Sequence, residues 1–163
     1  MTTRSLLADL TGHDIEGIAR EGNTPFSVPL ISHITGNLWT GGCLNGAELP
    51  REIEYVVSLY PWERYAIEPA RVRRLEFALY DSSDVADSAL LDMLGAIVNG
   101  FAKRGPTLVH CQAGLNRSGL VAANALRLRG MPASEAIALL RRQRSPAVLC
   151  NSAFEEWLLR RDK

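Results

Sequence analysis

The fold of this 163-residue chain is decided by one stretch, TLVHCQAGLNRSG at residues 107–119. Its first three residues, 107–109, are apolar or β-branched and follow a Gly-Pro pair, which predicts a buried strand entered from a turn. Residues 120–129 are rich in leucine and alanine and are closed by a glycine, which predicts a helix. The stretch is therefore predicted to be a strand–loop–helix junction with Cys111 at the end of the strand.

The loop of this junction has the features of a phosphate-binding cradle. Only five residues separate Cys111 from Arg117, so the loop must curl tightly. Its backbone N–H groups can then converge on one point together with the positive end of the helix dipole. Gly114 permits backbone angles that other residues resist, and Arg117 offers a planar, charged fork that suits two phosphate oxygens. The residues predicted to bind phosphate are Gln112, Ala113, Gly114, Leu115, Asn116 and Arg117.

The same surroundings predict a reactive sulfur at Cys111. A helix N-terminus and a nearby arginine favour the thiolate form of a cysteine, and the thiolate is the nucleophile. We therefore expect Cys111 to attack phosphorus and form a phosphocysteine intermediate. Ser118 is expected to donate its hydroxyl to the sulfur as it departs, and His110 to order the loop rather than to transfer a proton.

The pattern His110-Cys111-x5-Arg117-Ser118 resembles the signature of the cysteine-based protein phosphatases. Its details resemble the compact dual-specificity branch more than the larger classical tyrosine phosphatases, and the resemblance covers roughly residues 34–159. It implies an enzyme that uses no metal ion and no organic cofactor. The oligomeric state stays open, with a monomer favoured.

The resemblance further implies a general acid, carried as an aspartate on a loop about thirty residues before the cysteine. A positioned carboxylic acid protonates the leaving oxygen and is worth about 10²–10⁴ in rate. The acidic loop at residues 80–87 offers three aspartates. Asp81 fits the spacing best, Asp84 is the alternative, and Asp87 is expected to cap the next helix.

Two more residues acquire a role through the resemblance. The family has an arginine pair spaced like Arg141 and Arg144, and its second member lies beside the phosphate mouth, so Arg144 is expected to contact substrate. Trp62 follows a strongly predicted strand, in a loop that the family places near the catalytic mouth, and is either a substrate contact or a packing residue. Cys43 could act as a resolving thiol for oxidised Cys111, or it could be inert.

Strands alternating with helices predict an α/β fold. With the resemblance, we expect a central, mostly parallel sheet of about five strands flanked by helices on both faces. Residues 28–163 are predicted to form the catalytic domain, and residues 1–27 an arm or a short helix. The remaining predictions are a strand at 28–34, a short helix at 47–54, helices near 90–101 and 132–144, and a last helix capped by Asn151.

Composition narrows the class of protein. Apolar residues make up 47% of the chain and charged residues 22%, as in ordinary soluble globular proteins, and the net charge is zero. The zero net charge therefore gives no argument for nucleic acid or an anionic membrane surface as a partner, and no apolar run approaches the ~18 residues of a membrane span. Residues 1–10 are expected to be too weakly apolar for a signal peptide. The three cysteines have neither zinc nor disulfide spacing, which favours the reducing cytoplasm.

The loop composition also bears on the substrate. The five residues between Cys111 and Arg117 include no lysine, whereas relatives that act on phosphoinositides often carry lysines there. This favours phosphotyrosine and/or phosphoserine/threonine on proteins over a phosphoinositide, an RNA 5′-phosphate or a phospho-sugar. A rhodanese-like sulfurtransferase is a further alternative, but that chemistry needs no aspartate acid and so leaves the acidic loop without a purpose.

Overall fold

The computed structural model describes residues 14–67 and 70–162, and the elements below belong to those ranges. The described residues contain seven strands and four helices, and only one of the strands follows the first helix. The strands are β1 (Asp14–Ala19), β2 (Thr24–Pro29), β3 (Ile31–Thr35), β4 (Leu38–Gly41), β5 (Tyr55–Ser58), β6 (Arg73–Glu76) and β7 (Thr107–His110). The helices are α1 (Ser88–Ala102), α2 (Arg117–Leu128), α3 (Ala133–Gln143) and α4 (Ser152–Arg160).

Five strands form one sheet in the order β3-β4-β7-β5-β6. The β3–β4 pair is antiparallel, and the other pairs are parallel. The prediction of a mostly parallel, five-stranded α/β sheet is therefore confirmed. Because β7 is the middle strand and all of its residues are buried, the loop that follows it emerges at the centre of the carboxyl edge. Ligands bind at this edge in open α/β sheets.

The two faces of the sheet are covered differently. Neighbouring residues of β7 point to opposite faces, and Val109 belongs to a cluster with the apolar sides of all four helices. Leu108 points the other way, into a smaller cluster with Ile53 and Tyr65 from irregular segments. Within the described residues, the expectation of helices on both faces therefore holds for one face only.

The predicted helix at 47–54 is wrong. This segment forms turns and a single bridge between Glu48 and Ala66. Pro50 explains the difference, because proline has no N–H and disfavours the helical conformation for the residue before it. Leu49 and Ile53 still bury their side chains, at 4% and 0% exposure, so their apolar character reflects packing rather than helical periodicity.

The N-terminal segment is a hairpin where it is described. Strands β1 and β2 pair antiparallel from Asp14↔Pro29 to Ala19↔Thr24, so the short-helix alternative is wrong for residues 14–27. The predicted strand at 28–34 is divided, since β2 ends at Pro29 and β3 begins at Ile31. Residues before 14, with their loosely helical leucines, lie outside the described residues. The domain boundary at 27/28 stays a prediction.

No helix within the described residues combines the length and the apolar character that a membrane crossing requires.

Candidate active site

Cys111 lies at the floor of the loop that joins β7 to α2. Its side chain is 2% exposed, the backbone N–H of Gly114 donates to its Sγ at 3.2 Å, and the Ser118 hydroxyl oxygen lies 3.4 Å from the same sulfur. Both groups can stabilise negative charge on sulfur, because each has a hydrogen to donate. The sequence-predicted pair of Cys111 and Ser118 is thus brought into contact.

The loop is tightly seated against the sheet. Gly114 has a φ of +74°, and a Cβ at that position would lie 2.3 Å from the carbonyl carbon of Gly41 at the end of β4. Both the positive φ and the close approach require glycine. The curl that short spacing predicts is therefore achieved by packing Gly114 on the end of a neighbouring strand.

Arg144 holds this loop from behind. Its side chain is 7% exposed; Nε donates to the Gly114 carbonyl at 2.7 Å, Nη2 to the Ala113 carbonyl at 3.0 Å and Nη1 to Ser32 Oγ at 3.0 Å. These three hydrogen bonds and the burial of the guanidinium favour a supporting role for Arg144 over the expected substrate contact, which stays a prediction. Burial lowers the pKa of Arg144 to about 10, so the group stays charged at neutral pH.

The orientation of these two carbonyls matters for the open side of the loop. The C=O and N–H of one peptide unit point in opposite directions, so carbonyls drawn towards Arg144 turn the following N–H groups away from it. The loop residue Asn116 is the N-cap of α2, yet its side chain makes no capping hydrogen bond. The first N–H groups of α2 are thus left without a side-chain acceptor and are available to an anion.

Arg117 lies at the other end of the loop. Its guanidinium is 5.1 Å from the centroid of the Tyr60 ring, and Nη1 donates to the Leu79 carbonyl at 3.3 Å. Its Nε is buried and meets no hydrogen-bond partner within the described residues. A buried, charged N–H without a partner is costly, and a bound oxyanion would satisfy it.

Asp81 is held beside the loop by two asparagines. Asn116 Nδ2 donates to Oδ2 at 3.0 Å, and Asn151 Nδ2 donates to Oδ1 at 2.9 Å. Asp81 lines the same cleft as Cys111 and Arg117, whereas Asp84 is exposed and does not line it. Asp87 caps α1 by accepting from the Ala89 N–H at 2.8 Å, as predicted.

Two other titratable groups near the sulfur are buried in neutral form. Burial lowers the pKa of His110 to about 4, and its Nδ1 lies 3.2 Å from the Cys111 carbonyl oxygen. Burial, followed by the charges of Glu63 and Cys111, raises the pKa of Cys43 to about 12. A thiol held in its protonated form is a poor nucleophile, which favours the inert role for Cys43 over the resolving one.

The site opens into a cleft of about 860 Å³. One wall is aromatic: Trp62 is 56% exposed, and its ring centroid lies 5.0 Å from that of Tyr60 and 6.1 Å from that of Tyr80. Trp62 therefore lies in the cleft and stays a candidate for substrate contact. Strand β1 also lines the cleft. Among the described residues, no three His, Cys, Asp or Glu side chains are gathered as metal ligands would be.

Comparison with known proteins assigns the chain to a family. Residues 50–163, more than half of the chain, match the family model described as dual specificity phosphatase, catalytic domain. The chain belongs to the dual specificity phosphatase family. The resemblance drawn from the cysteine–arginine pattern is confirmed.

Individual relatives are distant. The dual specificity protein phosphatase OPG106 of vaccinia virus is 28% identical over 97 residues, which are 57% of this chain and only 56% of the viral protein. The crystal structure of human DUSP28 has a TM-score of 0.69 at 20% identity, covering 80% of this chain and 94% of DUSP28. That of Tk-PTP in the active form has a TM-score of 0.62 at 26% identity, covering 82% and 98%. These likenesses confirm the phosphatase fold.

Sequence reasoning missed one residue of this site. Asn151 was predicted only as the cap of α4, and its Oδ1 does accept from the Ala153 N–H at 3.1 Å. Its Nδ2 is then free to hold Asp81. The sequence signal was present in principle, because a capping asparagine uses its oxygen and keeps two donors for another partner. The partner, however, lies 70 residues earlier in the chain.

Proposed function

We propose that this protein is a cysteine-dependent phosphoric monoester hydrolase that acts on phosphotyrosine and/or phosphoserine/threonine of proteins. One observation carries the proposal. The Cys111 sulfur lies beneath a loop whose carbonyls are turned towards Arg144, while the buried Nε of Arg117 has no described partner. This combination supports a binding site for a tetrahedral dianion directly above a nucleophile.

In the first proposed step, Sγ of Cys111 attacks phosphorus in line with the leaving oxygen. The S–P bond forms as the P–O bond breaks, and Asp81 gives its proton to the departing alcohol or phenol. The loop N–H groups and Arg117 bind the three equatorial oxygens, where negative charge is spread in the transition state. The two asparagine amides that hold Asp81 support its assignment, since a general acid has to be positioned before its proton can be transferred.

In the second proposed step, water attacks the phosphocysteine. The Asp81 carboxylate takes a proton from that water, the S–P bond breaks, and inorganic phosphate and the thiolate of Cys111 are regenerated. Ser118 supports this step, because its hydroxyl lies 3.4 Å from the sulfur and can donate to the departing thiolate. The net reaction consumes one water per phosphomonoester and needs no oxidant, metal or organic cofactor.

The substrate class is supported by the loop composition. No lysine stands between Cys111 and Arg117, so the loop offers no extra cation for a second or third phosphate. This supports a singly phosphorylated side chain over a phosphoinositide, an RNA 5′-phosphate or a phospho-sugar. The three cysteines are all unpaired, which supports a reducing compartment such as the cytoplasm.

Hydrolysis of a small aryl phosphate and of a phosphotyrosine peptide tests this proposal. We expect Cys111→Ser to lose both activities almost completely. Asp81→Ala should lose about 10²–10³ in kcat on the peptide but much less on an aryl phosphate whose leaving group is already stable, because only a poor leaving group needs the proton. Vanadate should inhibit, and chelators should have no effect.

The matched control is Asp84→Ala, which removes an exposed aspartate of the same loop outside the cleft. It should retain both activities. If Asp84→Ala shows the dependence on leaving group and Asp81→Ala does not, the acid is assigned wrongly. If Cys111→Ser retains turnover, the proposed function itself is wrong.

A further inference from the structure

We propose that the free edge of β1 is a docking strand for the substrate, and that it selects an extended, singly phosphorylated protein segment with basic residues beside the phosphorylated one. The inference rests on the proposed function and names the substrate of that same site. It starts from the hairpin β1–β2, which lies outside the segment matched by the family model.

Strand β1 lines the cleft along its whole length. Residues 14–20 all line the cleft without a gap, and Phe26 is the lining residue from β2. Successive side chains of a strand point to opposite faces, so a cavity on one face alone would be lined by every second residue of β1 only. We infer from the unbroken run that the cleft follows the backbone edge of β1. The other edge of β1 is paired with β2.

This edge is suited to pairing. Residues 14–19 contain no proline, so every residue of β1 keeps an amide N–H, whereas β2 carries Pro25 and Pro29. Proline on an edge strand prevents it from accepting a further strand. The hairpin thus presents a strand that can be extended towards the cleft. Six residues span about 20 Å, enough for a short extended peptide.

The hairpin is fixed in place along the loop at residues 111–117, called the catalytic loop below. At one end, the Ile15 side chain packs against Gly42, and the next residue, Cys43, donates its backbone N–H to the Gln112 carbonyl at 3.0 Å. At the other end, the Glu21 carbonyl accepts from Asn116 Nδ2 at 3.3 Å and lies 3.4 Å from Cys150 Sγ. Strand β1 therefore runs lengthwise beside the loop, and a peptide paired with it would carry one of its side chains over Cys111.

The charges around the cleft indicate what such a peptide would contain. Apart from the Asp81 assigned to catalysis, the lining carboxylates are Asp14, Glu16 and Glu63, and none of them forms an ion pair with another described residue. The one lining cation besides Arg117 is Arg20 among the described residues. Carboxylates in excess attract lysine and arginine and repel a polyanion, which favours a basic peptide over a phosphoinositide or an RNA end.

The charge preference can be measured with two phosphotyrosine heptapeptides that carry either lysine or glutamate on both sides of the phosphotyrosine. We expect kcat/KM to be at least about fivefold higher for the lysine peptide at low ionic strength, and the ratio to shrink at high salt. The double variant Asp14→Lys/Glu16→Lys should abolish the ratio. The matched control is Glu156→Lys, at an exposed residue of α4 that does not line the cleft, and it should keep the ratio.

Strand pairing can be measured separately by methylating single backbone amides of the lysine peptide. Alternate N–H groups of a strand point to the same neighbour, so methylation should lower kcat/KM by about tenfold at every second position and have little effect between them. Loss without this alternation would mean a steric effect and would overturn the docking mode.

A small aryl phosphate separates the two hypotheses. It is too small to reach β1, so the charge-reversed variant and the wild type should hydrolyse it equally. If the wild type hydrolyses it but treats the two peptides alike, the docking strand is overturned and the phosphatase proposal stands. If the wild type prefers vesicles containing a phosphoinositide, the docking strand and the proposed protein substrate are both overturned, and only the cysteine-dependent hydrolysis of phosphomonoesters stands. If the wild type fails on the aryl phosphate and on every peptide, both are overturned.

Discussion

The side chain of Asn151 makes two kinds of contact, one at the start of α4 and one with the loop that carries Asp81. Its Oδ1 caps α4, while its Nδ2 donates to Asp81 and to the Ser82 carbonyl at 3.0 Å. We expect Asn151→Ser to retain the cap, since serine is a good N-cap, but to leave Asp81 with one anchor. Hydrolysis of a phosphotyrosine peptide should fall by about tenfold, whereas an aryl phosphate with a good leaving group should be little affected. Steady-state kinetics on both substrates measures this split.

A control separates this positioning role from plain stability. Asn151→Ala removes the cap as well and should lower the free energy of unfolding by about 1 kcal/mol more than Asn151→Ser, with the same split between substrates. Equal losses on both substrates in the serine variant would show that Asn151 supports the fold only. The cysteine–arginine spacing pointed to Cys111 and Arg117, and the family resemblance pointed to Asp81. Neither could predict that Asn151 anchors Asp81, because the contact between these two residues exists only in three dimensions.

At the scale of whole elements, the catalytic loop depends on the end of α3. Arg144 reaches from there to two loop carbonyls and to Ser32 on β3. Lysine has one ammonium in place of a planar fork and cannot make all three contacts. We expect Arg144→Lys to loosen the loop and weaken vanadate inhibition by about tenfold. Vanadate titration against aryl phosphate hydrolysis measures this.

The neighbouring Arg142→Lys is a matched control, because Arg142 is exposed and makes no described contact with the loop. Unchanged vanadate affinity in Arg144→Lys would contradict a supporting role. The arginine pair could be recognised in the sequence, but the side of the loop that Arg144 contacts could not. Helical spacing does not determine the direction of a side chain at the end of a helix. Elements were predicted well where periodicity was long, as in α1, and poorly where Pro50 interrupted residues 47–54.

For the molecule as a whole, buried His110 links stability to pH. Its folded pKa of about 4 lies below the ordinary value of 6.5, so the unfolded chain binds the proton more readily. The contribution of His110 to stability is complete above pH 6.5 and is lost as pH falls towards 4. We expect the free energy of unfolding, from urea titrations, to decrease over this range by up to roughly 3 kcal/mol from this group.

Carboxylates titrate in part of the same range, so the comparison must be made with variants. His110→Asn should flatten the decrease, and His33→Asn, at an exposed histidine, should keep it. Equal pH dependence in all three proteins would refute the assignment. At this scale the sequence predicted the α/β architecture, since alternating strands and helices leave few arrangements. It could not predict the hairpin wall of the cleft, because the docking of residues 14–29 is decided by contacts with distant loops.

The way in which the hairpin is attached affects how the protein can diverge. Its hydrogen bond to the catalytic loop uses the main-chain oxygen of Glu21, an atom that every amino acid supplies. Gly22 is constrained by its own identity there, with a φ of +96° and no room for a Cβ beside Cys150. The exposed side chains of Asp14 and Glu16 take no part in this attachment, so they can change in charge while the hairpin stays in place. Under the proposed docking, selectivity can therefore evolve without any mutation in the loop that carries Cys111.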